Sequence, residues 1–206
     1  MADTADSDTV RSFVAIELDV HLCTALRELQ ARLRQAPLAR IGRWVSPEGI
    51  HLTLKFLGNV PTSRLPELEK SLQRACTRVA SFPVAVTGLG CFPSFQRPRV
   101  LWVGVEEPTG SLQHLYSAVE RELERAGFRP EGRPFTPHLT LARIREQATN
   151  RERAEFGAWV KEQGVDRVGA MEVREVCLMR SVLRPDGAVY SRLVAVPLQP
   201  EEVESG

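Results

Sequence analysis

The sequence predicts an α+β protein of two similar lobes. Each lobe is expected to be an antiparallel β-sheet with helices on its outer face, and the inner faces to enclose a central cleft. Three observations lead there. The tetrapeptide His-Leu-Thr-Leu occurs twice, at His51-Leu52-Thr53-Leu54 and His138-Leu139-Thr140-Leu141, and takes up two of the four histidines. Each copy alternates polar and apolar residues with the period of a half-buried strand. The copies lie 87 residues apart (138 − 51), each with a helical pattern near it. That is a duplication of architecture, although little sequence identity survives outside the tetrapeptides.

The elements follow in order. Ser12 to Leu18 is rich in β-formers, and Leu22, Leu26, Leu29 and Leu33 have helical spacing through Arg34. The turn Ser46-Pro47-Glu48-Gly49 leads into the first motif strand, from about Ile50 to Leu57, which Gly58-Asn59 is expected to end. Thr62 is placed to cap a helix carrying Leu65, Leu68, Leu72 and Ala75. Strands are predicted at Phe82 to Leu89 and Arg99 to Val105, joined by a loop containing Phe92, Phe95 and Arg97. A helix beginning at Thr109 or Ser111 ends near Gly127, and the loop from Arg129 to Pro134 delivers the second motif strand. A polar helix from about Asn150 to Gln163 precedes a closing hairpin of Met171 to Ser181 and Val189 to Val196 around Pro185-Asp186-Gly187. Residues 1–10 and 199–206 are expected to be disordered tails on a single bilobal domain spanning 11–198.

A formal net charge of +1 gives no broad basic surface. This argues against tight non-specific binding to duplex nucleic acid, which depends on many phosphate contacts. Cys23, Cys76, Cys91 and Cys177 form no Cys-x-x-Cys pair, and the acidic N-terminus has no apolar core of a signal peptide. Reduced thiols in a cytoplasmic protein are therefore expected. No run approaches the length of a membrane span.

In a strand, His51 and Thr53 share one face, as do His138 and Thr140, while the leucines face the other way. The sequence thus offers two imidazole-plus-hydroxyl pairs on rigid strands. In-line cleavage of a phosphodiester needs a proton taken from the nucleophile on one side of phosphorus and given to the leaving oxygen on the other. Two imidazoles on facing surfaces can reach both positions, and two hydroxyls can hold the charged equatorial oxygens. The scheme requires no metal, and no His-x-His, His-Glu-x-x-His or neighbouring carboxylate supplies a metal site. A single copy would most often be a half-buried histidine; the repetition is what points to chemistry. His21 and His114 have no such context and are expected at the surface. Lys55 shares the face of His51 and Thr53 by alternation, so it either lines the cleft or is an exposed lysine at the strand end. Phe92, Phe95, Arg97 and Arg99 form an aromatic and basic cluster suited to a terminal nucleotide, or, for the phenylalanines, to plugging a core edge. Trp44 and Trp102 are expected in the core.

These residues resemble the 2H phosphoesterase superfamily, defined by a pair of His-x-Thr-x motifs. The resemblance is closest to its RNA 2′,3′-cyclic phosphodiesterase branch, also called 2′-5′ RNA ligase. It covers nearly the whole chain, through Arg11 to Ile16, His51 to Gly58, Pro98 to Trp102, Phe135 to Arg143 and the closing hairpin with Ser181, Gly187 and Tyr190. It implies hydrolysis of RNA 2′,3′-cyclic phosphate ends to 2′-phosphates without a cofactor, by a monomeric enzyme acting on RNA such as tRNA fragments. It implies His51 as proton donor, His138 as proton acceptor, and Thr53, Thr140 and Arg143 as phosphate ligands. Arg143 is at odds with simple alternation, being odd-spaced from His138, and requires a bend to reach the cleft. Reversible 2′-5′ ligation of RNA ends would use the same groups. Another phosphodiester (a cyclic nucleotide, an ADP-ribose cyclic phosphate or a 2′-5′ oligoadenylate) and a non-catalytic RNA-end binder are the remaining readings.

Overall fold

The structure, a computed structural model, describes residues 9–184 and 187–200. Nine strands and four helices follow one another along it. Strand β1 (Thr9–Glu17) leads to helix α1 (Val20–Arg34) and the short strand β2 (Gly42–Trp44), then β3 (His51–Pro61) and α2 (Leu65–Cys76). After β4 (Phe82–Phe92) and β5 (Val100–Glu106) come α3 (Ser111–Arg125), β6 (His138–Ile144) and α4 (Asn150–Glu162). The chain closes with β7 (Gly169–Val173), β8 (Glu175–Arg184) and β9 (Gly187–Pro197).

The strands form one path, β7-β4-β5-β6-β3-β1-β8-β9, with β2 beside β6. It divides into the two expected antiparallel halves, which meet at a single pairing, Leu52 with Leu139. Those two leucines are themselves related by the 87-residue displacement, so a pseudo-twofold axis passes between them. The register obeys the same rule. Glu17 pairs with His51 and Gly104 with His138, Ala15 with Thr53 and Trp102 with Thr140, Phe13 with Phe56 and Val100 with Arg143. The third strand of each half repeats it again, since Ala15 pairs with Cys177 where Trp102 pairs with Gly90.

Both motif strands carry a β-bulge at the same place. Register is lost at Leu54 in β3 and at Leu141 in β6, each of which has no partner in the neighbouring strand. A bulge inserts one residue and reverses the facing of everything after it. The burial pattern is accordingly identical over six residues, from His51 to Phe56 and from His138 to Arg143. Lys55 and Ala142 turn inward, and Phe56 and Arg143 turn out onto the face of the histidines.

The helix side of the sheet holds the main core, in which leucines of α1, α2 and α3 and Phe156 of α4 pack on Leu52, Leu54, Leu139 and Leu141. Two of the helices are exchanged between halves. α1, which follows β1, packs on β7 of the other half, and α3, which follows β5, packs on β3. Each also secures the bulge beneath it. Gln30 of α1 donates to the carbonyls of Leu141 and Val45, and Glu120 of α3 accepts from the buried Lys55 ammonium at 2.7 Å.

Several boundaries differ from those expected. β3 runs through Gly58, which adopts φ 73° in a second bulge opposite Ser12 and Phe13 instead of ending the strand. Thr62 opens a 3-10 turn and makes no capping bond to α2. The segment expected as one strand from Met171 to Ser181 splits at Arg174, because β7 joins β4 while β8 crosses to β1. Pro185 and Asp186 of the expected turn lie outside the described residues. At the ends, β1 begins at Thr9, and Gln199 pairs with Ala80 while its N–H donates to Val79. No helix among the described residues is long and apolar enough to cross a membrane.

Candidate active site

The two motifs meet where the halves join. Continuing the Leu52–Leu139 register by one residue sets His51 beside Thr140 and Thr53 beside His138 on adjacent antiparallel strands. Each imidazole is fixed the same way. Nδ1 of His51 donates to the carbonyl of Gly49 at 2.9 Å, and Nδ1 of His138 donates to that of Thr136 at 2.7 Å. With the proton held on Nδ1 by a carbonyl, each Nε2 carries the lone pair available for proton transfer. Both rings are half-buried among aromatic neighbours, of which Tyr190 and Phe92 stand edge-on and Phe13 and Trp102 are tilted. Tyr190 lies 4.9 Å from His51 and Phe13 4.6 Å, while Phe92 lies 4.8 Å from His138 and Trp102 6.1 Å.

Burial pulls both histidines below their ordinary pKa, against the opposing effect of the carbonyl bonds. The positive charge of Arg143 acts on both rings in the same direction as burial. Only His51 has a nearby carboxylate, Glu17, whose charge favours the protonated ring. Glu17 accepts from Arg192 at 2.6 Å and from the Cys177 thiol, and Arg192 also pairs with Glu175. The guanidinium thereby bridges the two carboxylates. Burial pushes the thiols of Cys76, Cys91 and Cys177 up to about 12, so none is a thiolate nucleophile. Among the described residues, the hydroxyls of Thr53 and Thr140 make no side-chain hydrogen bond, and Arg143 forms no ion pair. They lie on the same face of their strands as the two imidazoles.

Of the other residues expected here, Phe92 lies against His138, but Phe95 packs on the main core. Its backbone presses on α4, where a Cβ at Gly157 would come within 1.7 Å of the Phe95 carbonyl oxygen. Arg97 and Arg99 are exposed, and Arg99 alternates with Val100 and so faces away from His138. Lys55 is withdrawn by the bulge into the helix side, where it bonds Glu120 and the carbonyl of Arg129. The same device turns Arg143 onto the face of His138 despite its odd spacing. Trp102, expected in the core, forms a wall beside His138; its ring lies over Gly90, where a Cβ would come within 2.1 Å of the indole. Trp44 does pack on the core, and His21 and His114 are exposed. Sequence reasoning missed Phe13, Phe56 and Glu17. Phe13 and Glu17 sit on the site face of β1 at even spacing, a legible signal once β1 is known to neighbour β3.

This geometry has known counterparts. The family described as LigT like Phosphoesterase matches the chain twice, over residues 16–102 and 103–190, so the two matches divide it at the pseudo-twofold repeat. The chain belongs to this family. An RNA 2′,3′-cyclic phosphodiesterase of Methanothermobacter thermautotrophicus is 35% identical over 182 residues, covering 88% of this chain and 95% of that protein. Among solved structures, TT0787 of Thermus thermophilus superposes with a TM-score of 0.75 at 30% identity, covering 93% of this chain and 99% of the other. LigT of E. coli, crystallised with 3′-AMP, gives 0.73 at 25% identity, with coverage of 93% and 99%.

Proposed function

We propose that this chain is an RNA 2′,3′-cyclic phosphodiesterase that opens the cyclic phosphate to a 2′-phosphomonoester, with His138 as general base and His51 as general acid. The observation that carries this reading is the pair of identically anchored imidazoles, each with a free Nε2, flanked by unoccupied hydroxyls and one unpaired arginine. In the scheme, Nε2 of His138 takes a proton from water as its oxygen bonds to phosphorus. The bond from phosphorus to O3′ breaks on the opposite side, and the protonated Nε2 of His51 delivers its proton to that oxygen. Thr53, Thr140 and Arg143 donate to the non-bridging oxygens as their charge grows. Each proton transfer contributes a factor of roughly 10²–10⁴.

The assignment of roles is supported by the one charged difference beside the two rings. Glu17 is the register partner of His51, where His138 has Gly104. A carboxylate stabilises an imidazolium, so His51 is the better donor and His138 the better acceptor. A monomer acting on RNA ends such as those of tRNA fragments completes the reading.

The test is to incubate the protein, with EDTA present, with a short RNA ending in a 2′,3′-cyclic phosphate and identify the terminus formed. A 2′-phosphate is expected. A 3′-phosphate would reverse the leaving oxygen, and an unchanged terminus would sink the proposal.

A further inference from the structure

One end of the site is basic and has no counterpart at the other. β2 takes up the place beside β6 that β3 leaves, and Arg43 is the direct cross-strand partner of Arg143. Both are exposed. The residues that alternate with them, Ala142, Ile144 and Trp44, all pack on the helix side, so both arginines lie on the face of His138 and Thr140. Like charges directly opposite each other on a sheet repel, and among the described residues neither arginine has a carboxylate partner. Arg40, close by in the chain, pairs instead with Glu152 of α4. An unneutralised arginine pair at the mouth of a phosphate site fits a polyanion with two charges in succession. The other half has Phe56 in place of Arg143, and Pro130, 87 residues on, in place of Arg43. The site is therefore directional, aromatic at one end and doubly basic at the other.

Building on the reading of the site as acting on RNA cyclic phosphates, we infer that Arg43 holds the phosphodiester one nucleotide upstream of the cyclic phosphate. Arg143 engages the reacting phosphate, and Arg43, one strand further out, engages the next. This subsite makes an RNA chain a better substrate than a free nucleoside cyclic phosphate.

The experiment compares kcat/KM of the wild type, Arg43→Ala and Arg43→Lys on three substrates. These are a nucleoside 2′,3′-cyclic monophosphate, a dinucleotide with a 2′,3′-cyclic phosphate end, and the same dinucleotide with an uncharged methylphosphonate linkage. Arg43→Ala is expected to lose about tenfold on the natural dinucleotide, mainly through KM, as for one charge-assisted contact, and nothing on the mononucleotide. The methylphosphonate should cost the wild type a similar factor and Arg43→Ala nothing more, and Arg43→Lys should recover part of the loss. An equal loss on mononucleotide and dinucleotide would overturn the inference in favour of an effect through Arg143 or the fold. No loss on either would make Arg43 a solvated surface residue. A wild type that turns over none of the three would instead bring down the functional reading on which this rests.

Discussion

The two halves of the molecule share a skeleton and differ in what it carries. Around His51 and around His138 the chain repeats the same strand register, the same bulge, the same carbonyl anchor on Nδ1 and a flanking hydroxyl. At equivalent positions, however, Phe56 faces Arg143, Glu17 faces Gly104, and Ala15 faces Trp102 across the axis. The lesson is that the backbone repeats the setting of the two imidazoles, whereas substitutions at matched positions make the two ends of the site chemically different.

The most severe way to break the comparison is to remove either imidazole. His51→Gln and His138→Gln should each lower kcat by roughly 10²–10⁴, and the double variant should be little worse than the poorer single one, since the two act as a unit. A variant with near-normal turnover would show that one half does the chemistry alone. A smaller effect separates the two outer positions. Arg143→Ala should cost about 10²-fold in kcat/KM with a fall in kcat, as for loss of a donor to developing charge. Phe56, 60% exposed on the same face, offers a stacking surface, and Phe56→Ala should cost about tenfold, chiefly in KM. The reverse pattern would exchange the assigned ends.

The mildest change sharpens the asymmetry. With both histidines below their ordinary pKa, the pH profile of kcat/KM should be bell-shaped with its maximum below about 6.5. Its acid limb follows deprotonation of His138, and its alkaline limb follows loss of the proton from His51. Glu17→Gln removes a charge that raises the His51 pKa, so the alkaline limb should move to lower pH while the acid limb stays in place. Movement of the acid limb instead would exchange donor and acceptor.

Much of this was legible in the sequence. Period-2 alternation located both motif strands, helical patterns located α1 to α4, and the repeated tetrapeptide picked out the two strands that meet where the halves join. The bulges were not legible, because alternation counts residues and a bulge adds one without changing their chemistry. Simple alternation sets Lys55 on the face of His51 and turns Arg143 away from that of His138, whereas the bulges bury Lys55 on the helix side and turn Arg143 out to the face of His138. The adjacent apolar residues Leu141 and Ala142 were the faint sign, a break in alternation read as ordinary. Tertiary pairing was the other gap. Nothing local in Met171 to Ser181 announces that the chain changes halves at Arg174, and nothing local in Trp102 distinguishes a core tryptophan from a wall of the site.

The helix exchange has a consequence for how such a site could have arisen. A half-length chain with one His-Leu-Thr-Leu motif could assemble as a symmetric dimer. Its first helix, the counterpart of α1 and α3, would be swapped between subunits, and the Leu52–Leu139 contact would become a residue meeting its own copy on the axis. In that ancestor the two histidines would be chemically indistinguishable, and donor and acceptor could not be specialised separately. Joining the copies into one polypeptide frees each to mutate alone. That freedom is what allows a carboxylate beside one histidine, a glycine beside the other, and a division of labour in a site whose frame is still symmetric.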